Sequence, residues 1–291
     1  MKRILTLTVA AALSASATMG QTVAQEAERP LRPVPAACTV EAGTSHLADT
    51  YLSPLHYSGW HTSLLYERMQ AMAFAPERWV MQLDFRATAD CAKNPARNAN
   101  LWNFDLEGRW TMMRRWQNPF DVDRLTLAVG PGGALRGGAL YLPRNGNNPA
   151  AAKGSLTADV RGMASYSMRI GRLPVVLRYE AALPTLGAFF SPDYGQLYYE
   201  IWLGDHGSLC HPAWWGNYFS LDNLLTADLR LGGTTIRVGY HNQVFSTKVD
   251  NIVTRRVTHA FTVGIATEWI SLSASQHKRN RADARIVSAL Y

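Results

Sequence analysis

Trp102-Asn103-Phe104-Asp105-Leu106-Glu107-Gly108-Arg109-Trp110-Thr111-Met112 alternates bulky apolar and polar residues without a slip. A helix would scatter these charges around its axis. A strand, whose side chains alternate faces with a period of two, gathers Trp102, Phe104, Leu106, Trp110 and Met112 on one side and Asn103, Asp105, Glu107 and Arg109 on the other. One side seeks an apolar medium; the other seeks water or a countercharge. A soluble sandwich would produce the same alternation, so the decision rests on how often the pattern returns and what precedes it.

The pattern returns on both sides of this stretch. Upstream, Trp60, Thr62, Leu64 and Tyr66 alternate with His61, Ser63 and Glu67. Past a turn at Ala75-Pro76-Glu77, Trp79, Met81, Leu83, Phe85 and Ala87 alternate with Gln82, Asp84 and Arg86. Downstream, Leu125, Leu127 and Val129 run into Gly130-Pro131-Gly132-Gly133, which predicts one interrupted strand or two short ones. After the loop Arg144 to Pro149, Leu156, Ala158, Val160, Ala164, Tyr166 and Met168 oppose Thr157, Asp159, Arg161, Ser165 and Arg169. Gly171-Arg172 predicts a tight hairpin into Leu177, Tyr179, Ala181 and Leu183, opposite Arg178 and Glu180. Further on, Leu225, Ala227, Leu229 and Leu231 oppose Thr226, Asp228 and Arg230. A turn at Gly232-Gly233 leads to Ile236, Val238 and Tyr240, opposite Arg237 and His241. Phe261, Val263 and Ile265 form the next alternation, with a short partner expected at Trp269, Ile270 and Leu272. Between Phe189 and Leu221 the aromatics Tyr194, Tyr198, Tyr199, Trp202, Trp214, Trp215, Tyr218 and Phe219 suggest one or two strands at a membrane interface, an aromatic girdle.

The start of the chain sets the compartment. Lys2 and Arg3 precede an apolar run from Ile4 to Ala17 that ends in Thr18-Met19-Gly20, the make-up of a cleaved signal peptide over residues 1–20. The run is shorter than the roughly 20 apolar residues of a membrane helix, and no later stretch is a better candidate. Residues 21–49, with Pro30, Pro33 and Pro35, show neither period and read as an extended periplasmic leader, so the barrel domain is expected over 50–291. The formal charge of +7 on 291 residues is modest and dispersed, which argues against a nucleic-acid partner in an exported chain. Cys38, Cys91 and Cys210 fit no paired metal spacing; export permits one disulfide, with the pairing open.

Several of these segments are near the 9 to 11 residues that cross a bilayer at a tilt, against the five or six usual in soluble domains. Lipid tolerates no open sheet edge. The expected fold is therefore an all-β, closed, antiparallel, up-and-down transmembrane barrel of about 10 to 12 strands, in the outer membrane of a Gram-negative bacterium. Its partners would be outer-membrane lipid and, during biogenesis, the barrel assembly machinery; Tyr291, with Val287 and Ala289 before it, resembles the terminal signal read by that machinery. On the polar faces, opposite charges recur two residues apart: Asp84 with Arg86, Asp105 and Glu107 with Arg109, Asp159 with Arg161, Arg178 with Glu180, and Asp228 with Arg230, with Arg237 nearby. These predict a narrow lumen closed by mutually neutralising charges, with structural or narrow-transport roles rather than those of an open pore.

Two boxes carry a family resemblance. One is Thr50-Tyr51-Leu52-Ser53-Pro54-Leu55 followed by Tyr57-Ser58-Gly59; the other is Phe189-Phe190-Ser191-Pro192-Asp193-Tyr194-Gly195-Gln196 followed by Tyr198-Tyr199-Glu200. They resemble an uncharacterised family, a domain of unknown function, of exported outer-membrane barrel-type proteins of Gram-negative bacteria. The resemblance implies a barrel of unassigned activity and supplies no catalytic residues. Two rival readings are an outer-membrane lipid hydrolase or acyltransferase and a soluble periplasmic β-clam. The first needs a nucleophile, base and orienting group, and neither His61, Ser63 and Glu67 nor His206, Ser208 and His211 forms such a motif. His206, Cys210 and His211 match no standard metal spacing, and Gly130-Pro131-Gly132-Gly133 lacks the lysine and helix of a phosphate loop. No cofactor, metal or catalytic residue is expected from the sequence.

Overall fold

Alternating stretches become long strands, which in this computed structural model are described for residues 30–269 and 286–290, apart from 147, 194, 205, 208 and 233. In order they are β1 (Val34–Asp49), β2 (Ser53–Ala71), β3 (Trp79–Lys93), β4 (Asn100–Gln117), β5 (Leu125–Tyr141), β6 (Ala150–Ile170), β7 (Leu173–Phe190), a one-turn helix α1 (Tyr198–Trp202), β8 (Cys210–Ala213), β9 (Tyr218–Leu231), β10 (Thr234–Val249) and β11 (Ile252–Trp269). All pairings between named strands are antiparallel, and consecutive strands are neighbours except where β8 intervenes. Pairing of β1 with β11 and of β6 with β7 closes ten strands into a barrel, with β8 as an added eleventh. It lies on the upper part of β7, Gly187 to Phe190, beyond the part that β9 pairs with.

The pleat dictates the two faces. Phe85, Phe104, Leu106, Leu156 and Phe261 point outward and are exposed, whereas Asp84, Asp105, Arg109, Thr157 and Asp159 point inward and are buried. The near end of the barrel holds Val34 and Trp269, which pair with each other. The far end carries the β1–β2 turn and the long connection from β7 to β9. Apolar layers cap the lumen at both ends. At the near end Met69, Val80, Met113, Ala128 and Met163 pack with Ala289 and Leu290. At the far end Leu47, Leu52, Tyr57, Leu101, Leu140 and Leu142 form one cluster, and Phe189, Ala213, Tyr218, Phe245 and Val249 another.

The structure corrects four expectations. The barrel starts at Val34, so residues 34–49 are its first strand rather than leader: β1 pairs along its whole length with β11. Its outward residues Ala42, Thr44 and His46 are small or polar, which hides the alternation from a hydrophobicity reading. Secondly, β5 is one strand through the glycines, with an unbroken register; pairing to β4 lapses only between Gly132 and Val129, where Pro131 has no N–H to give. Thirdly, Trp269 ends β11 instead of opening a partner strand; Ile270 and Leu272 lie outside the described residues. Fourthly, Val287 and Ala289 are buried but not on a strand. A single bridge from Ile286 to Leu31 leads this tail into the near-end layer, where Arg115 Nη1 donates to the carbonyls of Ser288 at 2.6 Å and Ala289 at 3.1 Å. Val287 and Ala289 are therefore not part of a terminal strand of the barrel. Residues 1–20, Tyr194, Ser208 and Tyr291 lie outside the described residues.

Candidate functional site

The lumen combines one strand of mostly small inward residues with ionised side chains on the others. The inward face of β5 presents Ala128, Gly130, Gly132, Ala134 and Gly138. A Cβ at Gly130 would sit 2.0 Å from the Met112 carbonyl oxygen and one at Gly138 2.2 Å from that of Phe104. Arginines of β4, β6 and β7 project into the lumen and are buried there. Arg109 Nη2 reaches Glu107 at 2.8 Å and its Nε reaches Asp159 at 3.2 Å. Arg161 binds both Asp84 and Glu180. Arg178 holds Glu67 with two nitrogens, one at 2.9 Å, and reaches Glu180 at 3.1 Å.

These side chains meet across the lumen more often than along a strand. Of the pairs expected two residues apart, Arg109 with Glu107 and Arg178 with Glu180 form. Asp84 and Arg86 are drawn apart: Asp84 goes to Arg161, and Arg86 Nη1 goes to Asp222 at 2.8 Å. Asp159 goes to Arg109 rather than to Arg161. Asp105 is bound by Arg136 at 2.5 Å and Arg256 at 3.1 Å. Asp228 takes a two-pronged contact from Arg237, at 2.6 and 2.8 Å. Arg230 lines a cavity of about 260 Å³ near the near-end mouth, with Glu67, Asp228, Arg237 and Glu268.

Glu41, Glu67, Asp90, Arg136, Asp222 and Arg256 complete the network, and the sequence reading did not place them in it. Glu41 fell in the segment read as leader, Arg136 beyond the glycines and Asp222 among aromatics. Parity alone finds Arg136 and Asp222 once β5 and β9 are recognised as continuous strands. His61, Ser63, Glu67 and His241 do point inward as expected, and all are buried.

The two family-like boxes meet at the far end. Asp49 Oδ1 accepts the N–H groups of Tyr51 and Leu52 at 3.1 and 3.2 Å, fixing the β1–β2 turn. Ser53 Oγ accepts from the Tyr57 hydroxyl at 3.1 Å, and Pro54 follows at the start of β2. Tyr51 then donates to the Gln196 carbonyl at 3.1 Å and packs edge-on against Tyr198, 5.6 Å between ring centres. Within the second box, Ser191 donates to the Pro192 carbonyl, the Asp193 N–H donates to Gln196 Oε1 at 3.1 Å, and Gly195 adopts φ of +86°. Glu200 accepts the Leu197 N–H at 2.8 Å, closing the turn of α1, and Tyr199 and Trp202 are exposed on its outside. The Ala152 N–H donates to the Tyr198 hydroxyl at 2.6 Å. Burial pushes the Tyr51 phenol above its ordinary range and the Tyr198 phenol further.

His61 and Ser63 do not pair with each other, and the serine and histidine side chains that do meet among the described residues, Ser58 and His46 at 2.8 Å, lie on the outward face of β1 and β2. Ser63 donates to Glu41, while His61 Nδ1 lies 2.6 Å from Asp90. His211 Nε2 donates to the Ser191 carbonyl at 2.9 Å. Cys38, Cys91 and Cys210 are free, and only Cys91 is buried.

A family profile described as Protein of unknown function (DUF3316) matches residues 3–276. No curated protein matches the chain. Among solved structures it is similar to the translocator domain of autotransporter NalP from Neisseria meningitidis, at 11% identity over 90% of this chain and 98% of that one, TM-score 0.36. The transport unit of the autotransporter AIDA-I from Escherichia coli gives 7% identity over 81% and 90%, TM-score 0.40. The COG4313 outer membrane channel from Pseudomonas putida F1 gives 9% over 82% and 96%, TM-score 0.33.

Proposed function

The chain belongs to the DUF3316 family of proteins of unknown function, and on that premise we propose that it is an outer-membrane barrel with a closed lumen. Its role is structural and envelope-associated, exerted through its lipid-facing belt and its far-end rim rather than by conducting solutes. The observation that carries this reading is the inversion of the ordinary soluble pattern: ionised groups are enclosed, and large apolar groups face outward on strand after strand. Phe261 is 76% exposed, Leu106 and Leu135 65%, and Leu156 62%. With Val40, Leu64, Phe85, Phe104, Leu186, Leu225, Val263 and Ile265 they form a belt far larger than a soluble monomer leaves in water. At roughly 1.5–3 kcal/mol for full burial of each, and about half of that at such exposures, hydrocarbon is favoured over water by on the order of 10 kcal/mol.

A solute path would have to break both apolar end layers and the ion pairs between them. Arg178 is 1% exposed, and Glu41 and Asp90 are 0% exposed, so the pairs are not spaced by solvent as they would be in a wet pore. The exposed Tyr199, Trp202, Trp214 and Trp215 at the far end suit a membrane–water interface. Two measurements test the reading. The protein should stay with the outer-membrane fraction through a carbonate wash and migrate faster on gels when unheated. In planar bilayers it should give little or no current, and large steady currents would overturn the closed lumen.

A further inference from the structure

We propose that the barrel interior contains a binding site for a zinc-type divalent cation, with Glu41 from β1, His61 from β2 and His241 from β10 as ligands. One ligand atom from each of these three buried residues lies within 4.8 Å of the others. Ligands at 2.0–2.1 Å from a tetrahedral zinc are about 3.3 Å apart. Glu41 Oε2 is 3.7 Å from His61 Nε2 and 2.9 Å from His241 Nδ1, so seating an ion needs only small side-chain adjustments.

The orientation of His61 is the second, independent observation. Its Nδ1 lies 2.6 Å from Asp90 Oδ1, and Asp90 Oδ2 accepts from Asn103 at 2.7 Å. Asp90 can only accept, so Nδ1 carries a proton, and in the neutral imidazole Nε2 then carries a lone pair. That lone pair points toward the Glu41 carboxylate inside a residue 4% exposed, and no hydrogen bond satisfies it. In that neutral form two electron-rich atoms face each other at 3.7 Å, a gap that a bound cation fills and that a proton on Nε2 fills in its absence. The chain from Asp90 through His61 to the gap is the carboxylate–histidine–metal relay by which proteins orient a ligand.

His241 is set the other way round: Arg86 Nη1, which can only donate, lies 2.8 Å from Nε2, so Nδ1 carries the proton toward Glu41 at 2.9 Å and sheds it when an ion binds. Its Nε2 is 3.4 Å from Asp222 Oδ1, and its Nδ1 faces Glu41 without a hydrogen bond of acceptable alignment. Ser63 donates to Glu41 Oε2 and holds that carboxylate in place. Arg86 is a competing cation: its Nη1 is 2.8 Å from His241 Nε2 and from Asp222 Oδ2, and its Nη2 is 3.7 Å from Glu41 Oε1. Glu41, Asp90 and Asp222 carry three negative charges; Arg86 faces Glu41 and Asp222, and Arg109 and Arg256 approach to 4.0 Å of Asp222 and Asp90 respectively, so an ion here competes with arginines for the carboxylates. Two imidazoles and one carboxylate suit zinc better than magnesium or calcium. The site is enclosed, so the ion would enter as the barrel closes and act as an internal brace between β1, β2 and β10.

The test uses the full chain refolded in detergent with zinc chloride and then passed over a chelating resin. About one zinc per chain by elemental analysis is expected, falling at least tenfold in His61→Ala with His241→Ala. Asp90→Asn, which keeps the shape of the outer group, should weaken zinc by roughly 10–100-fold. If the double variant does not fold, cobalt(II) bound to the wild type decides. Strong visible absorption of a four-coordinate site supports the assignment, whereas the weak spectrum of hydrated cobalt overturns it. Wild-type protein without stoichiometric zinc, or zinc retained undiminished by a folded double variant, also overturns it, and a proton shared by Glu41 and the histidines would then fill the gap.

Discussion

Replacing Arg178 by methionine tests whether the lumen is closed. Arg178 is 1% exposed and is held by Glu67, by Glu180 at 3.1 Å and by Thr226 Oγ1 at 3.4 Å, with Met69 Sδ at 3.6 Å. Methionine keeps most of the length and leaves little cavity, so the loss is chiefly electrostatic. Breaking a buried pair by removing one partner costs about 3–5 kcal/mol. Here Glu67 still has Arg237 at 3.2 Å and Glu180 still has Arg161, which puts the expected cost near the lower end, about 3 kcal/mol. Glu67→Gln should cost about 2 kcal/mol, because Arg237 keeps Asp228 and Arg178 keeps Glu180. The double variant should lose less than the two together by about 2 kcal/mol, since its members touch. Reversible urea unfolding in detergent, followed by tryptophan fluorescence and by the unheated gel shift, reads these values. The exposed Arg169→Met is the control and should stay within about 0.5 kcal/mol. An Arg178→Met variant as stable as the control, or strict additivity with Glu67→Gln, would refute the enclosed network and point to a hydrated lumen.

The end layers and the rim give further tests. Leu290→Ala should cost about 2–3 kcal/mol in the same unfolding assay, because Leu290 packs in the near-end layer with Met69 and Met113; no change would mean that the tail is not seated there. Gly130→Ala puts a Cβ 2.0 Å from the Met112 carbonyl oxygen, so β4 and β5 must part and the yield of the fast-migrating folded form should fall severalfold. Tyr198→Phe leaves the Ala152 N–H without its acceptor and should cost about 1 kcal/mol. The raised pKa of the Tyr198 phenol means that the unfolded chain releases this proton first as pH rises past about 10, so stability should fall from pH 9 to pH 11. That fall should be smaller in Tyr198→Phe, and an identical pH profile would remove Tyr198 as its source.

The architecture was legible wherever outward residues were large. Trp102 to Met112, Trp79 to Ala87 and Leu177 to Leu183 are on strands with the expected faces inward and outward. Hairpins at Gly171-Arg172 and after Leu231 lie where glycine marks them, with φ of +62° at Gly171 and +65° at Gly232. Legibility failed where the outward side is small or polar. On β1, Ala42, Thr44 and His46 give no apolar stripe, and the prolines before it suggested an extended leader. It failed again between β7 and β9, where the aromatics are split among α1, β8 and the start of β9, because a short rim segment has too few residues to show any period.

The lumen network was legible in part of its membership and hardly at all in its pairings, and the reason for the second is geometric. Spacing of two along a strand puts charges on one face about 7 Å apart, too far for a hydrogen-bonded pair unless the side chains bend toward each other. A narrow closed barrel instead brings opposite walls within reach of long arginines. Arg86 of β3 finds Asp222 of β9, and Arg178 of β7 finds Glu67 of β2. Contacts of this kind span more than a hundred residues, and no local pattern encodes them. The same closure assembles Glu41, His61 and His241, two of them 180 residues apart, which is why a search for metal spacing in the sequence passes over them. A sheet that stayed open would leave β3 far from β9. Arg86→Met and Asp222→Asn should therefore show coupling of about 1–3 kcal/mol in a double-mutant cycle. Strict additivity would mean that the two walls do not touch.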